Sequence, residues 1–428
     1  MWFVILLMFT KHKLSTGLRV ITAPMKNTKT VTLLIVFGVG SKYENTHNAG
    51  VSHFLEHMFF KGTKKRPNPK IITEYLEEIG GEYNAFTSKE YTGFYAKVAS
   101  QHTKRAFDMI SDILLHSKFA ATDIGREKGV ILEEMRMYQD TPMSYVGDVF
   151  EECMYGDQPA GRSIIGSEKT IKGMKRQDFI DYYQQHYTVS NTVVCVAGNI
   201  NEDRALDLVG QYFKDIPKKT MGRRQRVKES QRQPACSLHQ KDTDQAHVVL
   251  GFRAYDIFDS RKYPLGLLSV ILGGGMSSRL FMSVREKLGL AYYIGCDNQT
   301  YTDSGYLGVH AGLDKSKIAK ALQVILAEFA KVRDKGISQK ELKKAKEYIK
   351  GKTLMGLETS DNYASWLTMQ EVLMRKTQTI AEKFAKIEKV TATDIQRVAK
   401  QVITSSKLNL AVIGPYKEED KFKKLLKI

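Results

Sequence analysis

Two stretches of this chain repeat the same order of elements, and that repetition limits its possible folds more than any other feature of the sequence. In the first half, an apolar run ending Ile35-Val36-Phe37 leads to a helix around His53, and residues 91–98 lead into a helical pattern over 103–115. In the second half, residues 247–252 lead to a helix around Gly273, and residues 304–311 lead into 315–332. Strand-like runs followed each time by long amphipathic helices imply an α+β fold of two homologous domains, each a mainly antiparallel sheet with helices packed on one face. Residues 217–228 between the copies are polar and basic and lack apolar periodicity, as an exposed linker does. We therefore expect one domain at 1–225 and a second at 226–428. With 428 residues, 42% of them hydrophobic, each half can fill its own core.

Composition narrows the function classes. Cys153, Cys195, Cys236 and Cys296 are scattered without C-x-x-C spacing, which argues against a disulfide framework and against a cysteine-ligated metal. Residues 1–9 form an apolar run far shorter than the roughly 20 residues that span a bilayer. The run also lacks the basic start and small-residue cleavage site of a signal peptide. No membrane anchor is expected, and the cytoplasm is the default location. The net charge of +18 favours acidic partners or surfaces. The basic linker has no interleaved aromatic residues, so a nucleic-acid partner is not expected.

The string His53-Phe54-Leu55-Glu56-His57 carries the chemistry. At helical spacing the two imidazoles lie one turn apart on one face and can share a metal ion, with Glu56 beside them. H-x-x-E-H is the inverzincin order, the reverse of the thermolysin-type H-E-x-x-H. A catalytic zinc takes three protein ligands and keeps a fourth position open, so a further donor is required. Residues 126–136 read as a helix in which Glu127 and Glu134, two turns apart, share a stripe, while Glu133 is rotated by about 100°. Such a stripe facing the histidines would provide one ligand and one orienting carboxylate. Spacing alone leaves a solvated acidic face as an equal reading.

Residues 49–63 (AGVSHFLEHMFFKGT), followed in order by residues 84–90 (NAFTSKE) and by the segment 126–135, resemble the signature blocks of the pitrilysin superfamily. The resemblance is to its short-chain branch, which includes the mitochondrial processing peptidase and bacterial relatives. It implies Glu134 as the third zinc ligand and Glu127 as its supporting carboxylate, with Glu133 the competing assignment. It also implies that Asn84 and Ala85 belong to an edge strand that pairs with an extended peptide. In the second half, residues 272–281 and 284–292 are similar to segments whose Arg and Tyr reach the substrate, here Arg285 and Tyr292. The second copy lacks H-x-x-E-H, and basic residues 343–352 stand where the Glu134 helix would fall, so one zinc ion per chain is expected.

The activity implied is that of a zinc metalloendopeptidase hydrolysing extended peptides through a metal-activated water, with Glu56 as general base. Arg285 would bind a substrate carbonyl and Tyr292 would donate to the oxyanion. Short-chain members resemble half of a four-domain clamshell, which implies a homodimer, or a heterodimer with a homologous glycine-rich partner. A non-catalytic scaffold subunit is the alternative from another class, and the intact metal residues weigh against it. The strongly positive charge departs from an enzyme that draws basic presequences into an acidic chamber, so that preference is not carried over.

Overall fold

Strands β1 (Thr10–Lys13), β2 (Arg19–Pro24), β3 (Thr30–Phe37), β4 (Glu82–Thr87), β5 (Thr92–Ala99) and β6 (Thr192–Gly198) form one sheet in the order β1-β2-β6-β3-β5-β4. Neighbours are antiparallel except β2 and β6. Strands β7 (Ala235–Gln240), β8 (Gln245–Arg253), β9 (Ala291–Thr300), β10 (Gly305–Asp314) and β11 (Leu408–Gly414) form a second sheet in the order β7-β11-β8-β10-β9, with only β7 and β11 parallel. This computed structural model describes residues 8–222 and 224–428, so most of the apolar N-terminal run lies outside the described residues.

Each sheet carries its main helical layer on one face. In the first, Phe54 and Leu55 of the helix Val51–Phe59, Phe107 and Ile110 of Thr103–His116, Phe179 of Arg176–His186 and Leu208 of Glu202–Tyr212 meet Val31, Leu33, Ile35 and Phe37 of β3 in one buried cluster. In the second, Leu268 and Leu272 of Lys262–Gly273, Leu322 and Phe329 of Ile318–Lys335 and Val398 of Ala392–Val402 pack with Val248, Leu250 and Phe252 of β8.

The opposite faces are covered as well, and this explains why β3 is a continuous apolar run rather than an alternating one. Leu34 and Val36 are as buried as their neighbours on the other side. Their face is covered by the helix Ser360–Met374, which comes from late in the sequence. Ser360 Oγ lies 2.8 Å from Thr32 Oγ1 and Asp361 pairs with Lys97 at 3.0 Å. At the other end of that helix, buried Glu371 holds Lys11 at 2.5 Å and Arg19 at 3.2 Å. The second sheet mirrors the arrangement: Val146, Val149 and Phe150 of the helix Pro142–Tyr155 pack on Val249, Ala411 and Ile413, and Glu151 accepts a hydrogen bond from Tyr301.

The chain accordingly divides into two compact units with an exchange. One takes the residues up to Met135, Ser163–Gln225 and Leu354–Gln378, and the other takes Arg136–Arg162, Arg226–Thr353 and Thr379–Ile428. The single cut near residue 225 expected from the linker marks one changeover but misses the exchanged segments. A sheet buried on both faces needs a second cover, and each half supplies that cover to the other sheet. The linker is also tied down near its end, where Arg224 lies 3.2 Å from Glu90, a buried carboxylate that holds Lys42 at 2.9 Å. Among the described residues no helix is long and apolar enough to cross a membrane.

The start of the helix Val51–Phe59 is fixed by two devices. Gly50 at its N-cap has φ 95°, a left-handed conformation, and a Cβ there would meet the Ile165 carbonyl at 2.6 Å. Buried Glu44 replaces the usual capping side chain, accepting from Gly50 N and Ser52 N, each at 2.7 Å. Glu44→Ala leaves those two N–H groups without their acceptor. We expect a loss of roughly 2–4 kcal/mol, read as a lowered urea midpoint, with a smaller loss for Glu44→Gln.

Candidate metal centre

Five of the nine residues of Val51–Phe59, namely Val51, Phe54, Leu55, Met58 and Phe59, face the core and are fully or almost fully buried. That fixes the rotation of the helix and turns His53 and His57 outward together, their ring centroids 4.7 Å apart. The helix Ala121–Gln139 is held in turn by Ile124, Ile131 and Met135, with Glu127 on the same buried stripe. Its rotation settles which carboxylate faces the histidines. Glu134 Oε1 lies 3.6 Å from His53 Nε2 and Glu134 Oε2 lies 3.4 Å from His57 Nε2, whereas Glu133 is exposed.

The donor set fits a metal ion. One ligand atom from each of His53, His57 and Glu134 lies within 4.8 Å of the other two, the only such group among the described residues. Two ligands of a tetrahedral zinc at bond lengths near 2.05 Å stand about 3.3 Å apart. The Glu134 to histidine separations, each to a different oxygen of Glu134, are close to that value.

Glu127 orients one of the two imidazoles. His57 Nδ1–H donates to Glu127 Oε1 at 2.9 Å, which leaves Nε2 directed toward Glu134. The second oxygen of Glu127 accepts from Lys61 Nζ at 2.7 Å. Lys61 is one turn beyond His57, so a Lys61–Glu127–His57 chain connects the two helices. Among the described residues His53 Nδ1 is buried without a hydrogen-bond partner, so none of them gives the other imidazole an equivalent support.

These contacts separate the carboxylates electrically. The two imidazoles beside it, His53 and His57, hold Glu134 down to about 2. Burial would raise Glu127, but the bonds from His57 and Lys61 outweigh it and lower its pKa. Glu56 goes the other way: burial raises it, against the opposing Thr87 hydrogen bond and the two histidines. Burial would lower His57, but its hydrogen bond to Glu127 and the nearby Glu134 carboxylate raise it to about 9. A metal ion therefore has to displace a proton from His57.

Asn84 and Ala85, proposed from sequence for substrate pairing, lie on β4, an edge strand of the first sheet, and not in a turn. Asn84 Oδ1 accepts from Ala85 N at 2.9 Å, and Ala85 is buried. Arg285 and Tyr292 belong to the second unit. Arg285 lies in the short helix Phe281–Glu286 with its guanidinium 4.8 Å from the Phe281 ring centre, and Tyr292, on β9, is 62% exposed. Sequence reasoning passed over Glu44, Lys61 and Thr87. Lys61 and Thr87 stand inside the quoted signature blocks, and the i, i+4 spacing of His57 and Lys61 was the available signal.

Comparison with known proteins agrees with the geometry. The family description "Insulinase (Peptidase family M16)" matches residues 19–168, and "Peptidase M16 inactive domain" matches residues 173–349. An uncharacterized zinc protease of Bacillus subtilis is 34% identical over 408 residues, covering 95% of this chain and 98% of that protein. An uncharacterized zinc protease of Mycobacterium leprae is also 34% identical, covering 96% and 93%. Among solved structures, a protease from Helicobacter pylori shares the fold with a TM-score of 0.90 at 23% identity over 96% of this chain and all of that one. A peptidase M16 inactive domain from Pseudomonas fluorescens superposes with a TM-score of 0.87 at 18% identity, covering 96% and 99%.

Removing the orienting carboxylate should weaken metal binding without abolishing it. For Glu127→Ala we expect zinc affinity to fall roughly 10–100-fold, measured by competition against a chromophoric chelator.

Proposed function

The chain belongs to peptidase family M16, and from that premise we propose that it is a zinc-dependent endopeptidase acting on extended peptides, with one zinc ion held by His53, His57 and Glu134. The observation that carries this reading is the convergence of two imidazole Nε2 atoms and one carboxylate beside a second, half-buried carboxylate whose pKa is pushed the opposite way. The zinc protease names of the relatives support the choice of metal. A zinc ion bound there supplies Lewis acidity, making water a competent nucleophile near neutral pH and polarising the scissile carbonyl.

The chain's own groups do the rest. Glu56 takes the proton of the attacking water and hands it to the leaving amine, a task suited to a carboxylate raised by burial. Glu127 holds the tautomer and orientation of His57, and Lys61 keeps Glu127 ionised. The open edge of β4 pairs with the peptide backbone, where small Ala85 permits close approach and Asn84 supplies a side-chain amide. Arg285 binds a substrate carbonyl, and the exposed phenol of Tyr292 donates to the developing oxyanion.

The active form is a homodimer in which Arg285 and Tyr292 of one copy serve the zinc centre of the other. Their side chains have no hydrogen-bond or ion-pair partner among the described residues, which leaves both available to a substrate. A different glycine-rich partner chain is the competing assembly, and size-exclusion of the pure protein distinguishes the two.

Two measurements test the proposal. On a mixed peptide library read by mass spectrometry, cleavage should be abolished by a chelator, restored by zinc, and reduced at least roughly 100-fold by Glu56→Gln. Full cleavage by the Glu56→Gln protein would remove Glu56 from the reaction. Mixing Glu56→Gln protein with Arg285→Ala protein, each inactive alone, should recover part of the activity; no recovery in a confirmed mixed dimer means that each chain is self-sufficient.

A further inference from the structure

The substrate edge and the general base are physically joined. Thr87, the last residue of β4, donates its Oγ1–H to Glu56 Oε2 at 2.5 Å. No other side chain among the described residues hydrogen-bonds to the Glu56 carboxylate. Glu56 is otherwise a three-torsion side chain set among His53, His57 and Glu134. His53, His57 and Glu134 act on it electrostatically, and the one directed bond it receives comes from the strand.

We propose that Thr87 is a positioning residue that fixes the rotamer of Glu56, leaving Oε1 free to accept the proton, and that couples this position to the strand on which the peptide docks. The inference rests on the peptidase reading for its catalytic consequence. Thr87 is suited to the task because a β-branched side chain in a strand has few χ1 choices, so the hydroxyl is aimed by the backbone. That backbone is registered on the sheet: Thr87 pairs with Thr92, Phe86 with Gly93, and Ala85 with Phe94. Asn84 and Ala85 lie three and two residues before Thr87 on the same strand. A peptide that adds to the open edge of β4 therefore bears on the strand that holds the base, and its register reaches Glu56 through one hydroxyl. At 2.5 Å the hydroxyl–carboxyl bond is at the short end for its kind, and it is directional enough to favour one rotamer.

The test compares Thr87→Val, which keeps the shape and loses the donor, with Thr87→Ser, which keeps the donor. For the zinc-loaded protein we expect Thr87→Val to lower kcat about 10–100-fold with KM changed less than threefold, and Thr87→Ser to restore kcat to within about threefold. Zinc content and melting temperature should be those of the unmodified protein. Crystal structures of the same three proteins give a readout independent of turnover, with Glu56 displaced in the valine variant and in place in the serine variant. Glu56 unmoved in the valine variant, or a serine variant as impaired as the valine one, overturns the proposal. If the unmodified protein cleaves no peptide, the peptidase reading fails on its own, and the Glu56 rotamers still decide whether Thr87 positions it.

Discussion

The helix Val51–Phe59 has only about two and a half turns in which to bury Phe54, Leu55, Met58 and Phe59 and to present His53, Glu56 and His57 to a ligand. Burying four large apolar side chains contributes roughly 6–12 kcal/mol, far more than any single polar contact at the site. The core therefore sets the helix rotation, and the chemistry follows it. Glu44 and Gly50 fix where the helix begins, so its position along the axis is set from outside the motif. The Glu134 helix obeys the same rule: burial of Ile131 and Met135 decides that Glu134, not Glu133, meets the histidines.

Three carboxylates within this small region are kept in different electrical conditions. Glu127 and Glu134 are held ionised by cationic or proton-donating neighbours, and Glu56 is raised by burial. Groups of one chemical type whose environments push them apart can take distinct roles as ligand, support and base. Lys61 contributes by neutralising Glu127, without which a buried carboxylate beside two others would be costly.

Local spacing made much of this legible. The H-x-x-E-H string specified both imidazoles and the carboxylate beside them because helical geometry places i and i+4 together wherever the helix ends up. Repetition of strand and helix patterns gave the two sheets with their main helical layers. The choice between Glu133 and Glu134 was not legible from spacing, because it depends on which side of a distant helix is buried. Thr87 and Lys61 act across separations of 31 and 66 residues, to Glu56 and Glu127; such pairings exist only once the elements have docked. The exchanged helices were hidden for a related reason. The apolar residues of Ser360–Met374 are spread around the helix rather than gathered on one face, and the face it buries includes Ser360, Thr368, Gln370 and Glu371, so its pattern does not name the first sheet as its target.

That exchange bears on how the protein is made. The first sheet has all its strands once residue 198 has been synthesised, yet the helix that covers Leu34, Val36 and Cys195 arrives only with residues 360–374. During translation that apolar face is exposed to water for more than 150 further residues, which at about 5–20 residues per second is roughly ten to thirty seconds. The N-terminal half therefore cannot complete its fold ahead of the C-terminal half. A nascent chain halted between the two presents a bare sheet to the cell's chaperones and proteases.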